Sequence, residues 1–326
     1  MKYNKSKKKC ALIIGVSGQD GAYLSKLLLK NNYRVVGASR DAQVSDFKGL
    51  NYLGLLHRIE TISMSPIDFR SVLDTIKKIK PDEIYNLSGQ SSVGLSFDQP
   101  IETFDSISVS TLNILEVIRF VNPKIKFYNA SSGEMFGETG SKPADEKTPF
   151  NPKSPYAVAK AAAHWQVSVY RESYGIFACS GVLFNHESPL RPSRFVTKKI
   201  IEAACNIGNG KNDRLTLGNI DISRDWGYAP EYVEAMWKMM SQPKPEDYII
   251  ATGTTYRLQD FISSAFSYFN LNWENYVTLD QSLYRPSEIL VGSANPSKAN
   301  QLLGWQAESM MPDVIEKMII DQLKRE

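Results

Sequence analysis

Cys10-Ala11-Leu12-Ile13-Ile14-Gly15-Val16-Ser17-Gly18-Gln19-Asp20-Gly21 is the stretch that decides the fold of this chain. Five apolar residues without alternation read as a strand buried on both faces, as in a parallel sheet. Glycines at 15, 18 and 21 then permit a tight turn, and the amphipathic stretch Ala22 to Lys30 continues as a helix. Strand, glycine-rich turn and helix in that order leave free N–H groups at the helix start, where they suit a pyrophosphate. Gly15, Ser17, Gly18, Gln19, Asp20 and Gly21 are therefore candidate dinucleotide-binding residues. The second strand, Arg34 to Ser39, ends at Arg40. An acidic residue there would accept from the adenosine ribose of NAD, whereas an arginine pairs with the 2′-phosphate of NADP. Arg40 favours NADP; Asp41 beside it weakens the choice, and a solvated loop charge is the plain alternative.

Outward from this unit, strand-like and helix-like segments alternate. Strands are predicted at Arg58 to Ile67, Glu83 to Ser88, Lys126 to Ala130 and Phe177 to Phe184. Helices are predicted at Ser71 to Ile79, Pro100 to Phe120 and Pro155 to Tyr174. That alternation requires a doubly wound, Rossmann-type α/β fold with a parallel sheet and helices on both faces. Ligands bind beyond the strand C-termini of such sheets. Asp68, Ser88 to Gln90, Ser131 to Glu134 and Asn185 all follow predicted strands and should converge on one crevice.

Past residue 185 the rhythm loosens. Phe195 to Ile207 and Pro230 to Met240 read as helices, Arg214 to Gly218 as a short strand, and Asp247 to Gly253 as a strand returning to the main sheet. Two helices, near Ser297 to Leu303 and Pro312 to Lys324, end the chain. Residues 1–184 are read as the cofactor-binding domain, with roughly 225–255 returning to it. Residues 185–326 are read mainly as a smaller mixed α/β lobe that binds the substrate and packs over the crevice.

Ser154-Pro155-Tyr156-Ala157-Val158-Ala159-Lys160 carries the chemistry. Ser154 suits an N-cap and Pro155 the first helical turn. Tyr156 and Lys160 then share one helical face. An ammonium near a phenol stabilises the phenolate, so the phenol pKa should fall toward neutrality. Such a tyrosine takes a proton from a sugar hydroxyl while hydride leaves the same carbon. Glu134, in Ser131-Ser132-Gly133-Glu134, is a nearby carboxylate for further acid–base work.

The 326 residues hold 42% apolar and 22% charged side chains, ordinary for a soluble enzyme. A net charge of +3 does not imply a nucleic-acid partner. Lys5, Lys7, Lys8 and Lys9 read as a solvated tail, and no segment approaches a membrane span. The cysteines, Cys10, Cys179 and Cys205, are scattered and fit a reducing, cytoplasmic setting. No metal-ligand cluster is present, and His57 and His164 read as structural.

The chain resembles the extended short-chain dehydrogenases/reductases and, within them, the GDP-mannose 4,6-dehydratase family. The resemblance runs from Gly15 through Trp305. It is carried by Gly15-x-x-Gly18-Gln19-Asp20-Gly21-x-Tyr23-Leu24 and by Asn86-Leu87-Ser88-Gly89-Gln90-Ser91-Ser92-Val93. More specific are Leu183-Phe184-Asn185-His186-Glu187-Ser188-Pro189, Arg224-Asp225-Trp226-Gly227-Tyr228-Ala229 and Arg285-Pro286-Ser287-Glu288. The resemblance implies that Tyr156, as phenolate, removes the C4 hydroxyl proton of GDP-mannose while hydride passes to NADP. Glu134 would take the C5 proton and help water leave from C6, the hydride would return to C6, and Ser132 would hold the C4 oxygen. Leu87, Asp68, Lys160, His186 and Arg191 would lie along the cofactor. Ser88, Gln90, Asn185, Lys199, Leu217, Gly218, Arg224, Arg285 and Glu288 would meet the GDP-sugar, with Arg285 suited to bidentate phosphate pairing and Glu288 to a ribose hydroxyl.

Several positions depart from the family pattern. Gly133 stands where a small hydroxyl residue is usual, and Ser92 where a histidine is expected. Pro192-Ser193-Arg194-Phe195 replaces Gly-Glu-Asn-Phe, and Ala294-Asn295 replaces Gly-Asp. Gly133 frees space beside the reacting centre, which makes a related sugar such as GDP-manno-heptose an alternative substrate. A same-fold epimerase or reductase is the other alternative; neither needs the carboxylate of Glu134. The loop after Arg40 is short, so a homodimer through Pro100 to Phe120 and Pro155 to Tyr174 is expected, a homotetramer less so.

Overall fold

A computed structural model describes residues 8–211 and 213–325; Lys5 and Lys7 of the basic run lie outside the described residues. β1 (Cys10–Ile14) turns into α1 (Gln19–Lys30), followed by β2 (Arg34–Ser39), α2 (Lys48–Tyr52), β3 (Glu60–Ser63), α3 (Phe69–Ile79) and β4 (Glu83–Asn86). Next come α4 (Val93–Asp98), α5 (Pro100–Phe104), α6 (Ser110–Val121), β5 (Lys126–Ser132), α7 (Pro155–Tyr174) and β6 (Ala178–Leu183). β7 (Asn185–Glu187), α8 (Val196–Gly208), β8 (Leu215–Leu217), β9 (Ser223–Tyr228), α9 (Ala229–Met240) and β10 (Tyr248–Ile250) continue the chain. β11 (Thr255–Arg257), α10 (Leu258–Ser267), β12 (Val277–Leu279), β13 (Val291–Gly292) and α11 (Met311–Leu323) complete it.

The main sheet is parallel, in the order β10-β6-β5-β4-β1-β2-β3. The pleat of β1 explains its unbroken apolar run. Ala11 and Ile13 pack with Leu24, Leu28, Val233 and Met236 of α1 and α9 on one face. Leu12 and Ile14 pack with Val72, Ile76, Ile118 and Val167 of α3, α6 and α7 on the other. Because the strand order reverses at β1, a crevice opens beyond the C-terminal ends of β1 and β4.

A second core gathers α8, α10 and α11 around Trp226, Phe261 and Ile315. β9 centres a separate sheet, where it pairs with β7, β11 and β13, and its Asp225 reaches the turn that follows β10 of the main sheet. Asp225, fully buried, accepts from the backbone N–H groups of Thr252 (2.9 Å) and Gly253 (2.7 Å).

The predicted helix Pro100 to Phe120 is interrupted by a π turn at Asp105–Val109. There the hydroxyls of Ser110 and Thr111 donate to the carbonyls of Ser106 and Ile107, each at 2.7 Å, and compete with the backbone ladder. Ser106 Oγ in turn accepts from the backbone N–H of Gln90 at 3.1 Å, so the turn supports the loop after β4. The predicted strand Arg58 to Ile67 contracts to Glu60–Ser63, with Pro66 following it. The predicted helix Ser297 to Leu303 contains a π turn at Ala299–Leu303.

Candidate active site

Between the strand ends of the main sheet and the second core lies a cavity of ≈ 520 Å³. Its walls include Ser88, Gln90, Ser132, Glu134, Tyr156 and Lys160 on the sheet side. Asn185, Lys199, Leu217, Gly218, Arg224, Arg285 and Glu288 line it from the second core and its connections. Asp20, Leu87, His186 and Arg191 also face it. Residues far apart in sequence thus converge here.

The reacting corner is set by the start of α7. Ser154 is the N-cap, its Oγ accepting from the Ala157 N–H at 3.1 Å, with Pro155 in the first turn. One turn on, Lys160 Nζ donates to the Ala130 carbonyl at 2.7 Å and lies 5.7 Å from the Tyr156 ring centre. Burial pushes the Tyr156 phenol up to about 12, against a lowering hydrogen bond with Ser132, and the charge of Glu134 adds to the rise. Burial also lowers Lys160 to about 8, with Asp20 pulling the other way. The expectation that the nearby ammonium brings the phenol toward neutrality is thus not met by the chain's own groups, where the phenol is raised. The ammonium donates to the Ala130 carbonyl, and burial is the largest cause at both groups. Ser132 Oγ also accepts from the Glu134 N–H at 3.3 Å, at the head of the 3₁₀ turn Gly133–Phe136.

Charged groups run from Glu134 toward the other end. Arg224 Nε is 3.8 Å from Glu134 Oε1, and Arg224 Nη2 is 3.4 Å from Glu288 Oε1. Arg285 Nη1 reaches the same Glu288 oxygen at 3.2 Å. Burial raises Glu288, against the two arginines, and lowers Arg224, against Glu134 and Glu288.

His186 is held at both nitrogens: Nε2 by Asp20 Oδ2 at 2.9 Å and Nδ1 by the Phe184 carbonyl at 2.8 Å. Two acceptors require both nitrogens to donate, which is an imidazolium. Burial works against each charge, but the mutual attraction prevails, so His186 is raised and Asp20 lowered. Arg191 lies 3.0 Å from the buried Glu187 and covers the Phe195 ring. Buried Gln19 donates to the His186 carbonyl at 3.2 Å and accepts from Ser188 Oγ at 2.7 Å.

The glycine turn borders the cavity without lining it. Gly15 has φ +88°, and a Cβ there would come 2.8 Å from the Leu87 carbonyl oxygen. A Cβ at Gly21 would come 2.6 Å from the Gly15 oxygen. Gly18 is the N-cap of α1 and brings no side chain to the first N–H groups, while Ser17 is exposed beside it. Two candidates stand apart from the walls. Arg40 is exposed, 3.6 Å from Glu102. Asp68 caps α3, accepting from the Arg70 N–H at 2.9 Å. Gln90 lines the cavity, but its amide is engaged with Ser92 and Thr103.

A family model described as GDP-mannose 4,6 dehydratase matches residues 12–318. The chain belongs to the GDP-mannose 4,6-dehydratase family. "GDP-mannose 4,6 dehydratase 2" of Arabidopsis thaliana is 41% identical, over 97% of this chain and 87% of that protein. "GDP-mannose 4,6-dehydratase" of Vibrio cholerae is 38% identical, over 97% of this chain and 94% of that one. In fold the chain matches dTDP-glucose 4,6-dehydratase of Bacillus anthracis (TM-score 0.84, 16% identity, 97% of both chains). It also matches UDP-glucose 4-epimerase of Thermotoga maritima (TM-score 0.85, 18% identity, 97% and 99%).

Against this GDP-mannose 4,6-dehydratase frame, the space expected at Gly133 is filled. A Cβ at Gly133 would come 2.8–2.9 Å from the ring of Phe184, which is buried in the wall. Ser92 caps α4, accepting from the Leu95 N–H at 3.3 Å. Phe184 and Arg194 are wall residues that the site reading passed over; Arg194 donates to Ser91 Oγ at 3.2 Å. Their signal was position: Phe184 ends a predicted strand, and Arg194 sits in a departing segment.

Proposed function

We propose that this chain converts GDP-mannose into GDP-4-keto-6-deoxymannose, with NADP as a resident cofactor that is not consumed. The observation that carries the reading is one buried corner holding Ser132, Glu134, Tyr156 and Lys160 together, with Arg224, Arg285 and Glu288 beyond it. The glycine turn fits a dinucleotide: the backbone approach at Gly15 and Gly21 excludes any side chain, and the N–H groups of α1 suit phosphate oxygens. His186, Arg191 and Lys160 would flank the nicotinamide half, and Arg40 the 2′-phosphate. A bound nicotinamide would supply the hydride acceptor for C4, the same hydride for C6, and a positive charge that favours the Tyr156 phenolate.

Tyr156 accepts the C4 hydroxyl proton while Ser132 donates to the C4 oxygen. The resulting ketone acidifies C5, and Glu134 removes that proton. Glu134 then protonates the departing C6 hydroxyl, which leaves as water. Tyr156 returns its proton to C5, so the cycle is balanced. Arg285, Lys199 and Arg224 hold the diphosphate, Glu288 a ribose hydroxyl, and Asn185, Ser88 and Gln90 the sugar side of the cavity.

We read the assembly as a homodimer, with a homotetramer the larger alternative. Ile101, Val158, Trp165 and Val169 are exposed on α5 and α7, and a second copy would cover them. No helix among the described residues is long and apolar enough to cross a membrane. No group of three or more His, Cys, Asp or Glu among them could hold a metal ion. A cytoplasmic location fits the buried thiols of Cys10 and Cys179.

The test is mass spectrometry of GDP-mannose incubated with the purified protein and no added reductant. A product lighter by one water, with the cofactor unchanged in amount, supports the reading. Conversion of GDP-manno-heptose but not GDP-mannose would move the assignment to the heptose, and an epimer of unchanged mass would move it to an epimerase.

A further inference from the structure

Arg224 is 5% exposed, and it faces two carboxylates and a carbonyl. Besides Glu134 at 3.8 Å and Glu288 at 3.4 Å, its Nη1 donates to the Ser223 carbonyl at 3.0 Å. Its stem is fixed: in the β13–β9 register Gly292 lies opposite Arg224, and a Cβ there would come 3.2 Å from Arg224 Cδ. The result is an alternating row, Glu134–Arg224–Glu288–Arg285, along the cavity wall, with Glu134 at the reacting corner. Two glutamates and two arginines leave that row without net charge. A diphosphate entering it finds a matched guanidinium only by taking one from a carboxylate. The contact with Glu134 is the one to yield, because 3.8 Å is ion-pair distance but beyond hydrogen-bond length.

We propose that Arg224 is shared: it holds Glu134 while the cavity lacks substrate and passes to the diphosphate when a GDP-sugar arrives, which frees Glu134 to act. This rests on the dehydratase reading and adds to it a coupling between the two ends of the site. The hand-over therefore keeps the Glu134 carboxylate engaged with Arg224 until a sugar nucleotide is seated. Arg224 acts here as a positioning residue for Glu134. If the diphosphate and Glu134 compete for one guanidinium, removing the charge of Glu134 must favour the diphosphate by the same coupling energy.

The experiment is calorimetric binding of GDP, which lacks the sugar that Glu134 would touch. Glu134→Gln is expected to bind GDP roughly fivefold or more tightly than the wild type. Arg224→Gln is expected to bind GDP more weakly, and in that background Glu134→Gln should add nothing. Arg224→Lys, which keeps a cation on the same strand, should restore part of the gain and guards against a simple folding defect. Unchanged or weaker GDP binding by Glu134→Gln would overturn the proposal. So would a gain that survives in the Arg224→Gln background, since that gain would be a general charge effect. Failure of the wild type to bind GDP at all would overturn the dehydratase reading beneath it.

Discussion

Burial raises the Tyr156 phenol to about 12 and lowers the Lys160 ammonium to about 8. Burial alone therefore favours the neutral phenol; the positive ring of a bound nicotinamide would oppose it and favour the phenolate that takes the C4 hydroxyl proton. Tyr156→Phe should lower kcat for GDP-mannose by about 10²–10⁴-fold while leaving GDP affinity unchanged; equal losses in both would point to a packing role. Glu134→Gln should form the 4-ketone and fail to release water, so mass spectrometry should find no dehydrated product. At Gly133 the expectation is steric. Gly133→Ala forces its Cβ into the Phe184 ring and should cost about 1–3 kcal/mol in denaturant unfolding; a neutral result would mean the ring moves freely. The sequence made Tyr156, Lys160 and Glu134 legible because their spacing and flanking turn are local. The Phe184 ring against Gly133 was not legible, because it depends on how the ends of β5 and β6 face each other.

Among elements, α7 was readable almost to the residue, since Ser154 and Pro155 mark its start and Gly175 its end in a left-handed conformation. Ser154→Ala removes the cap on the Ala157 N–H and should cost about 1 kcal/mol. Because the cap fixes the first turn, which carries Tyr156, kcat should fall more than GDP affinity does. The stretch Pro100 to Phe120 was readable as helical but not as interrupted. Its π turn arises from serine and threonine hydroxyls that choose backbone carbonyls, and from a loop that needs Ser106 to hold Gln90. Periodicity carries no trace of that choice. Asp68 illustrates the converse: its place after a strand suggested a ligand, and the structure gives it the cap of α3.

Across the whole molecule, the pair Asp20–His186 joins the start of α1 to β7, 166 residues away. His186 is raised in the folded protein, so its contribution is full below about pH 6.5 and is lost as pH rises through the folded value. Asp20 is lowered, so its contribution is present above about pH 3.9 and is lost as pH falls through the folded value. The Tm difference between wild type and Asp20→Asn should thus be widest from about pH 4 to 6.5 and narrow on the alkaline side. A difference independent of pH would refute the ion pair. The strand–helix alternation made the main sheet legible, but not the short strands β7, β9, β11 and β13, which are too brief to show a period.

β10, supplied from beyond residue 240, pairs with β6 through Tyr248–Gly181, Ile249–Val182 and Ile250–Leu183. A chain cut after residue 184 would keep the glycine turn yet leave β6, buried along its whole length, as a bare apolar edge. Such an edge recruits strands from other molecules. The severed first half should therefore precipitate on expression instead of yielding a small nucleotide-binding module.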